Sequence, residues 1–244
     1  MVTIPKNEKR TPGARPEKAK LWIFGAPYSG KTQFADSFPD ALILSTDGNI
    51  GFCTSPYILI RDQVSVEGRI TKTQTAWKFF RDVIDELAKG QNTYKTLVFD
   101  LVDDLYELCR FSKYQDMGIT HESDDPYKSW DKIRGEFRTV MRKAANLDYN
   151  IIFISHEDVQ TDITNRRGEK DAIYNPSIQP KVANYLSGLV DITARVVVDK
   201  GEHKLLIVKK NSDIIGTRIT KELPDEIPLN YKDFENLYNT TRSE

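Results

Sequence analysis

The sequence predicts an α/β fold, a mainly parallel sheet with helices on both faces and a C-terminal antiparallel hairpin extension. Three observations predict it. Near-continuous apolar runs alternate with helical patterns, as expected of strands buried on both faces. A glycine-rich loop, Gly25 to Thr32, lies between one such run and a helical segment. Late in the chain, two alternating runs flank Asp199-Lys200-Gly201-Glu202, a hairpin signal.

Taken in order, Leu21–Phe24 reads as the first strand, and Gln33–Phe38 after the glycine-rich loop reads as a helix. Ala41–Thr46 is a second strand ending at Asp47-Gly48, and Tyr57–Ile60 is a short third. Residues 73–89 place Ala76, Phe80, Val83, Ile84 and Leu87 on one helical face, with Gly90 as the stop. Thr96–Asp100 is a buried strand, followed by a helix from Asp103 to Gln115. A polar loop, Met117 to Tyr127, leads to a helix from Ser129 to Asn146, and Asn150–Ser155 is the next buried strand. Glu157–Ile178 is a long polar stretch, and Asp191–Val198 with Lys204–Lys210 form the hairpin. No internal repeat is visible.

Composition bounds the class. The chain has 244 residues and a formal charge of −1, which suits one α/β domain over residues 19–244 and argues against a surface that coats nucleic acid throughout. Any nucleic-acid contact is therefore expected to be local. Residues 1–18 carry prolines and the cations Lys6, Lys9, Arg10, Arg15 and Lys18, with little to bury, and read as a flexible basic tail. No apolar run is long enough to cross a bilayer, and no export signal opens the chain, so a cytoplasmic protein without membrane partners is expected. The two cysteines, Cys53 and Cys109, lack metal-ligand spacing and suit a reducing compartment.

Gly25-Ala26-Pro27-Tyr28-Ser29-Gly30-Lys31-Thr32 spells G-x-x-x-x-G-K-T, the phosphate-binding P-loop. Gly25 and Gly30 let the backbone curl so that N–H groups face phosphate oxygens. Lys31 would reach the β- and γ-phosphates of ATP, and the Thr32 hydroxyl would ligate Mg²⁺. Asp100, closing the Leu97-Val98-Phe99 strand, is the candidate second Mg²⁺ carboxylate. An aspartate there could instead cap the next helix, a role Asp103 can fill. A complete strand, Ala41–Thr46, intervenes between the P-loop and Asp100. That order belongs to sheets in which an extra strand separates the P-loop strand from the metal-binding strand.

With these motifs in series, ending at Ile151-Ile152-Phe153-Ile154-Ser155-His156, the chain resembles a RecA-like P-loop NTPase core over roughly residues 20–215. More narrowly, it is similar to compact phage-encoded ATPases of single-strand annealing and recombination. The resemblance implies that Asp47 orients the hydrolytic water, although Asp47-Gly48 is also a plain turn and is a methylene shorter than the usual glutamate. It implies that His156 senses the γ-phosphate, the alternative being an ordinary core or surface histidine. A DNA-binding segment is implied at 157–178, where Arg166, Arg167, Lys170 and Tyr174 supply cations for phosphates and a ring for stacking. The acidic loop 117–128 is the weaker candidate. Lys209, Lys210, Arg195 or Arg218 could reach a neighbouring subunit's γ-phosphate, or could be solvated edge residues.

The function so implied is Mg²⁺-dependent ATP hydrolysis, coupled to single-stranded DNA in phage recombination or replication. Implied partners are single-stranded DNA, further copies of the chain in a ring or filament, and a phage single-strand-binding protein. Two alternatives stay open: a small-molecule kinase, and an ATP-binding regulatory or helicase-loading scaffold.

Overall fold

The computed structural model describes residues 7, 18–125, 129–164, 170–208, 214–218 and 223–240. The basic segment 1–18 therefore falls almost wholly outside the described residues, as do Lys209 and Lys210.

The strands are β1 (Lys20–Gly25), β2 (Ala41–Ser45), β3 (Tyr57–Leu59), β4 (Gln63–Glu67), β5 (Ile70–Gln74) and β6 (Thr96–Asp100). Then come β7 (Asn150–Thr164), β8 (Lys170–Pro176), β9 (Ile192–Asp199), β10 (Glu202–Leu206), β11 (Gly216–Thr217) and β12 (Glu226–Pro228). The helices are α1 (Lys31–Asp36), α2 (Ala76–Leu87), α3 (Val102–Met117), α4 (Ser129–Ala145), α5 (Pro180–Ser187) and α6 (Tyr231–Thr240).

The main sheet runs β12-β10-β9-β1-β7-β6-β2-β3, parallel from β9 through β3 and antiparallel where β10 meets β9 and β12. An extra strand does separate the P-loop strand from the strand carrying Asp100, but it is β7. The second strand, β2, lies on the far side of β6. Sequence order alone could not distinguish these, because β7 enters the sheet only after α4.

Period-2 alternation divides the core between the two faces of the sheet. Trp22, Leu97, Phe99, Ile151 and Phe153 face α2, α3, α4 and α5, whereas Leu21, Ile23, Val98, Ile152 and Ile154 face the layer containing Phe34 and Phe234. Leu97, Val98 and Phe99 are fully buried, each stabilising the fold by roughly 1.5–3 kcal/mol. Helix α2 begins at Thr75, whose hydroxyl accepts from the Lys78 N–H, and it buries Trp77, Phe80 and Ile84. Gly90, at φ 68°, ends that turn in the left-handed conformation.

The β9–β10 turn places Lys200 and Gly201 at φ 51° and 85°, the positive pair that suits tight hairpins. Strand β10 starts two residues earlier than expected, at Glu202. Within the stretch 157–178, the described residues are largely strand: β7 continues to Thr164 and pairs antiparallel with β8, with a register shift between Gln160 and Ile163. A separate hairpin, β4–β5, also escaped the sequence reading. Among the described residues, no helix is long and apolar enough to cross a membrane.

Candidate ATPase site

The site lies where β1, β6 and β2 end, beside the middle of β7. Because these strands are parallel and in register, Gly25 sits beside His156, Asp100 beside Ile154, and Ser45 beside Asp100. Residues distant in sequence are thus delivered to one rim.

Gly25 is where the chain leaves the sheet, and its lack of a side chain is obligatory: a Cβ there would stand 2.4 Å from the Val196 carbonyl oxygen. A Gly25→Ala substitution therefore forces β1 and β9 apart, and a loss of about 1–3 kcal/mol in urea unfolding is expected. Tyr28 and Gly30 adopt φ 63° and 91°, which curls the loop, with the Tyr28 ring out in solvent and Pro27 exposed beside it. The Lys31 ammonium donates to the carbonyls of Gly25 and Ala26, both at 2.8 Å. Burial holds this lysine below its ordinary range, opposed by Asp100 and then Glu157. His203 of β10 donates from Nδ1 to the Ser29 carbonyl at 2.8 Å, so the β9–β10 extension braces the loop.

Thr32 Oγ1 donates to Asp100 Oδ2 at 2.8 Å. Asp100 does not cap α3, and neither does Asp103: the cap position is Leu101, and Asp103 sits in the first turn. Burial raises the Asp100 carboxyl to about 6, against the Thr32 hydrogen bond that favours its ionised form. Proton and metal compete for this group. ATP turnover should therefore rise with pH through about 6 at limiting Mg²⁺. The sign for stability is opposite. The native, metal-free protein holds a proton the unfolded chain has released, so this group's contribution declines as pH rises from the ordinary carboxylate range to about 6. Turnover and urea midpoints across that window check both slopes.

Asp47 is exposed and engaged by its own turn. It accepts from the Ser45 hydroxyl at 3.2 Å, the Asn49 N–H at 3.0 Å and the Asn49 amide at 2.7 Å. The geometry is that of an Asp-Gly turn at the site's edge. His156 donates from Nδ1 to Asp103 at 2.8 Å, and this bond raises its pKa.

Sequence reasoning missed a second charged group here. Glu157, directly after His156, is nearly buried and accepts from Arg195 Nε at 2.8 Å across the end of β1. The Arg195 guanidinium lies 3.4 Å from the centre of the Tyr174 ring. Arg195 is therefore held within its own chain, and one face of Tyr174 is taken. Arg218 likewise donates to the Gly188 carbonyl. Arg166 and Arg167 lie outside the described residues; Lys170 opens β8. In the acidic loop, Glu122 is buried against Arg110 at 2.7 Å. Thr46, another residue not singled out, bonds Asp104 at 2.8 Å and receives the Leu101 N–H at 3.0 Å.

The donor set suits Mg²⁺ and a polyphosphate. Thr32 and Asp100 are hard oxygen ligands. The buried Ser29 hydroxyl in the loop has no protein partner. No group of three or more His, Cys, Asp or Glu among the described residues could hold a metal. Mg²⁺ would thus arrive with phosphate oxygens completing its shell.

A glycine cradle, a buried lysine and a hydroxyl–carboxylate pair on this sheet order define an ATPase core of the RecA-like type. The AAA domain family (AAA_24) matches residues 17–218, and the chain belongs to it. It has a weak likeness to the flagellar accessory protein FlaH from Methanocaldococcus jannaschii, with a TM-score of 0.38 and 11% identity over 87% of this chain and 84% of that one. No curated protein matches the sequence.

Proposed function

We propose that this domain hydrolyses ATP with Mg²⁺ and couples turnover to single-stranded DNA, in a phage recombination or replication role. The observation that carries the reading is strand β7. It places His156 beside Gly25 of the P-loop and then runs on, without a break at the sheet edge, into the β7–β8 hairpin. In this reading a change at the γ-phosphate passes along β7 into that hairpin. In this reading Gly25 to Thr32 hold ATP, Lys31 neutralises phosphate charge, and Thr32 with Asp100 hold the metal. His156 reports nucleotide state, while Lys170 and Tyr174 of β8, with Arg166 and Arg167 from the segment outside the described residues, make the DNA contact. Self-association and a single-strand-binding protein as partner belong to the same proposal.

Asp47 favours a second reading. A carboxylate occupied by its own turn is poorly placed to polarise water, as expected of an ATP-binding scaffold or helicase loader. ATP turnover with and without oligo-dT, at low and moderate salt, separates the two. Stimulation that fades with salt, and is lost in Asp47→Asn, supports the coupled ATPase. Tight ATP binding without turnover in either protein supports the scaffold.

A further inference from the structure

The outward face of α4 carries a row with no role in the site above. Trp130, Arg134, Arg138 and Arg142 recur at every fourth residue, while Ile133, Phe137, Val140 and Met141 bury the opposite face. The arginines are held against rings. Arg134 lies 5.9 Å from the centre of Trp130, and Arg138 and Arg142 lie 5.2 and 5.7 Å from that of Tyr185 on α5. Hydrogen bonds fix the arrangement further: Tyr185 accepts from Arg142 Nε at 3.1 Å and donates to the Arg138 carbonyl at 3.0 Å.

The charges on this row are unevenly compensated. Arg134 has Asp131 at 2.6 Å. Among the described residues, Arg138 and Arg142 meet no carboxylate, and the buried Arg138 Nε has no hydrogen-bond partner. That Nε lies too deep for an outside anion to reach, so an anion at this face would meet the rest of the guanidinium. In a chain of formal charge −1, a cluster of unpaired arginines is a local feature rather than a general excess of base.

We infer that the α4–α5 face is a binding site for the phosphate backbone of single-stranded nucleic acid. This rests on the nucleic-acid reading above but places contacts on residues outside the β7–β8 hairpin. The fit is one of charge and pitch. Four residues of helix advance about 6 Å, so the row presents cations at a spacing suited to successive phosphates of an extended strand. Guanidiniums stacked on rings lose little further freedom on binding and offer planar, multidentate donors. Trp130, half-buried at the end of the row, adds ring surface against which a base can rest.

The test is fluorescence anisotropy of fluorescein-labelled oligo-dT, without nucleotide, over a range of salt. Wild type is compared with Arg138→Gln/Arg142→Gln, Arg138→Lys/Arg142→Lys, and Lys143→Gln as a control on the Asp85 side of the helix. Loss of two phosphate contacts should lower the slope of log K against log salt by about 1.4 and weaken binding roughly tenfold or more at about 0.1 M salt. The lysine variant and the control should keep the wild-type slope. Unchanged ATP binding shows that the glutamine variant is folded. Wild-type slope and affinity in that variant would overturn the site while leaving DNA-coupled ATPase activity standing. Arginine-dependent DNA binding that never alters ATP turnover would keep the site and sink the coupling. No oligo-dT binding by wild type would overturn both.

Discussion

Replacing Lys31 with alanine should lower ATP turnover by about 100-fold or more, the scale seen when a preorganised group facing developing charge is removed. The reason is local. The ammonium is buried at the loop, held by the Gly25 and Ala26 carbonyls, with Asp100 and Glu157 among the acidic neighbours acting on it. Phosphate oxygens would exchange for those carbonyls, and no other cation is seen bonded to the P-loop among the described residues. Steady-state turnover, with urea unfolding alongside, separates this from misfolding. The substitution also removes a desolvated charge, so stability should change little or rise. Wild-type turnover in the variant would exclude the P-loop as the catalytic centre.

The second large effect is on stability. Arg195→Met should cost about 3 kcal/mol, because it leaves Glu157 as a buried carboxylate whose partner has gone. For a chain of this size that corresponds to a fall in Tm of roughly 6–12 °C. The methionine can still cover Tyr174, so most of the loss is electrostatic. Adding Glu157→Gln should restore part of it, since the pair's energy is shared and the two losses do not add. Thermal denaturation of the single and double variants checks this. A loss below about 1 kcal/mol would mean that the pair is effectively solvated.

The parts legible in sequence were those written locally. The P-loop is eight consecutive residues, and Leu97-Val98-Phe99-Asp100 is a continuous apolar run closed by one acid, because a central parallel strand is buried on both faces. Helix α2 was readable through its 3.6-residue stripe, from Ala76 to Leu87. The hairpins outside the core were not. In β4–β5, Val64, Val66 and Ile70 stay exposed, so no buried face marks the pattern. In β7, the polar run after Ser155 masked a strand whose backbone is satisfied by β8 rather than by core packing. In helix α6, Phe234 and Tyr238 are the buried positions among the described residues, with Tyr231 and Leu237 partly buried beside them.

The site was legible where a motif dictates it, and opaque where it depends on pairing across the sheet. Thr32 was named from the motif and Asp100 from its place at the end of an apolar strand, and the two side chains are hydrogen-bonded. Glu157 and Arg195 are 38 positions apart and meet only because β7 and β9 flank β1. Nothing local announces such a contact. Asp103 was offered as an alternative helix cap, yet its carboxylate is directed at His156, which reaches it only once β7 has entered the sheet.

The most direct test of the account is ATP turnover by the purified chain as Mg²⁺ is titrated, with Asp100→Asn measured beside wild type. The account predicts turnover that requires Mg²⁺ in wild type and is strongly weakened in the variant, with ATP binding retained. Turnover without Mg²⁺, or an identical Mg²⁺ dependence in Asp100→Asn, would contradict it.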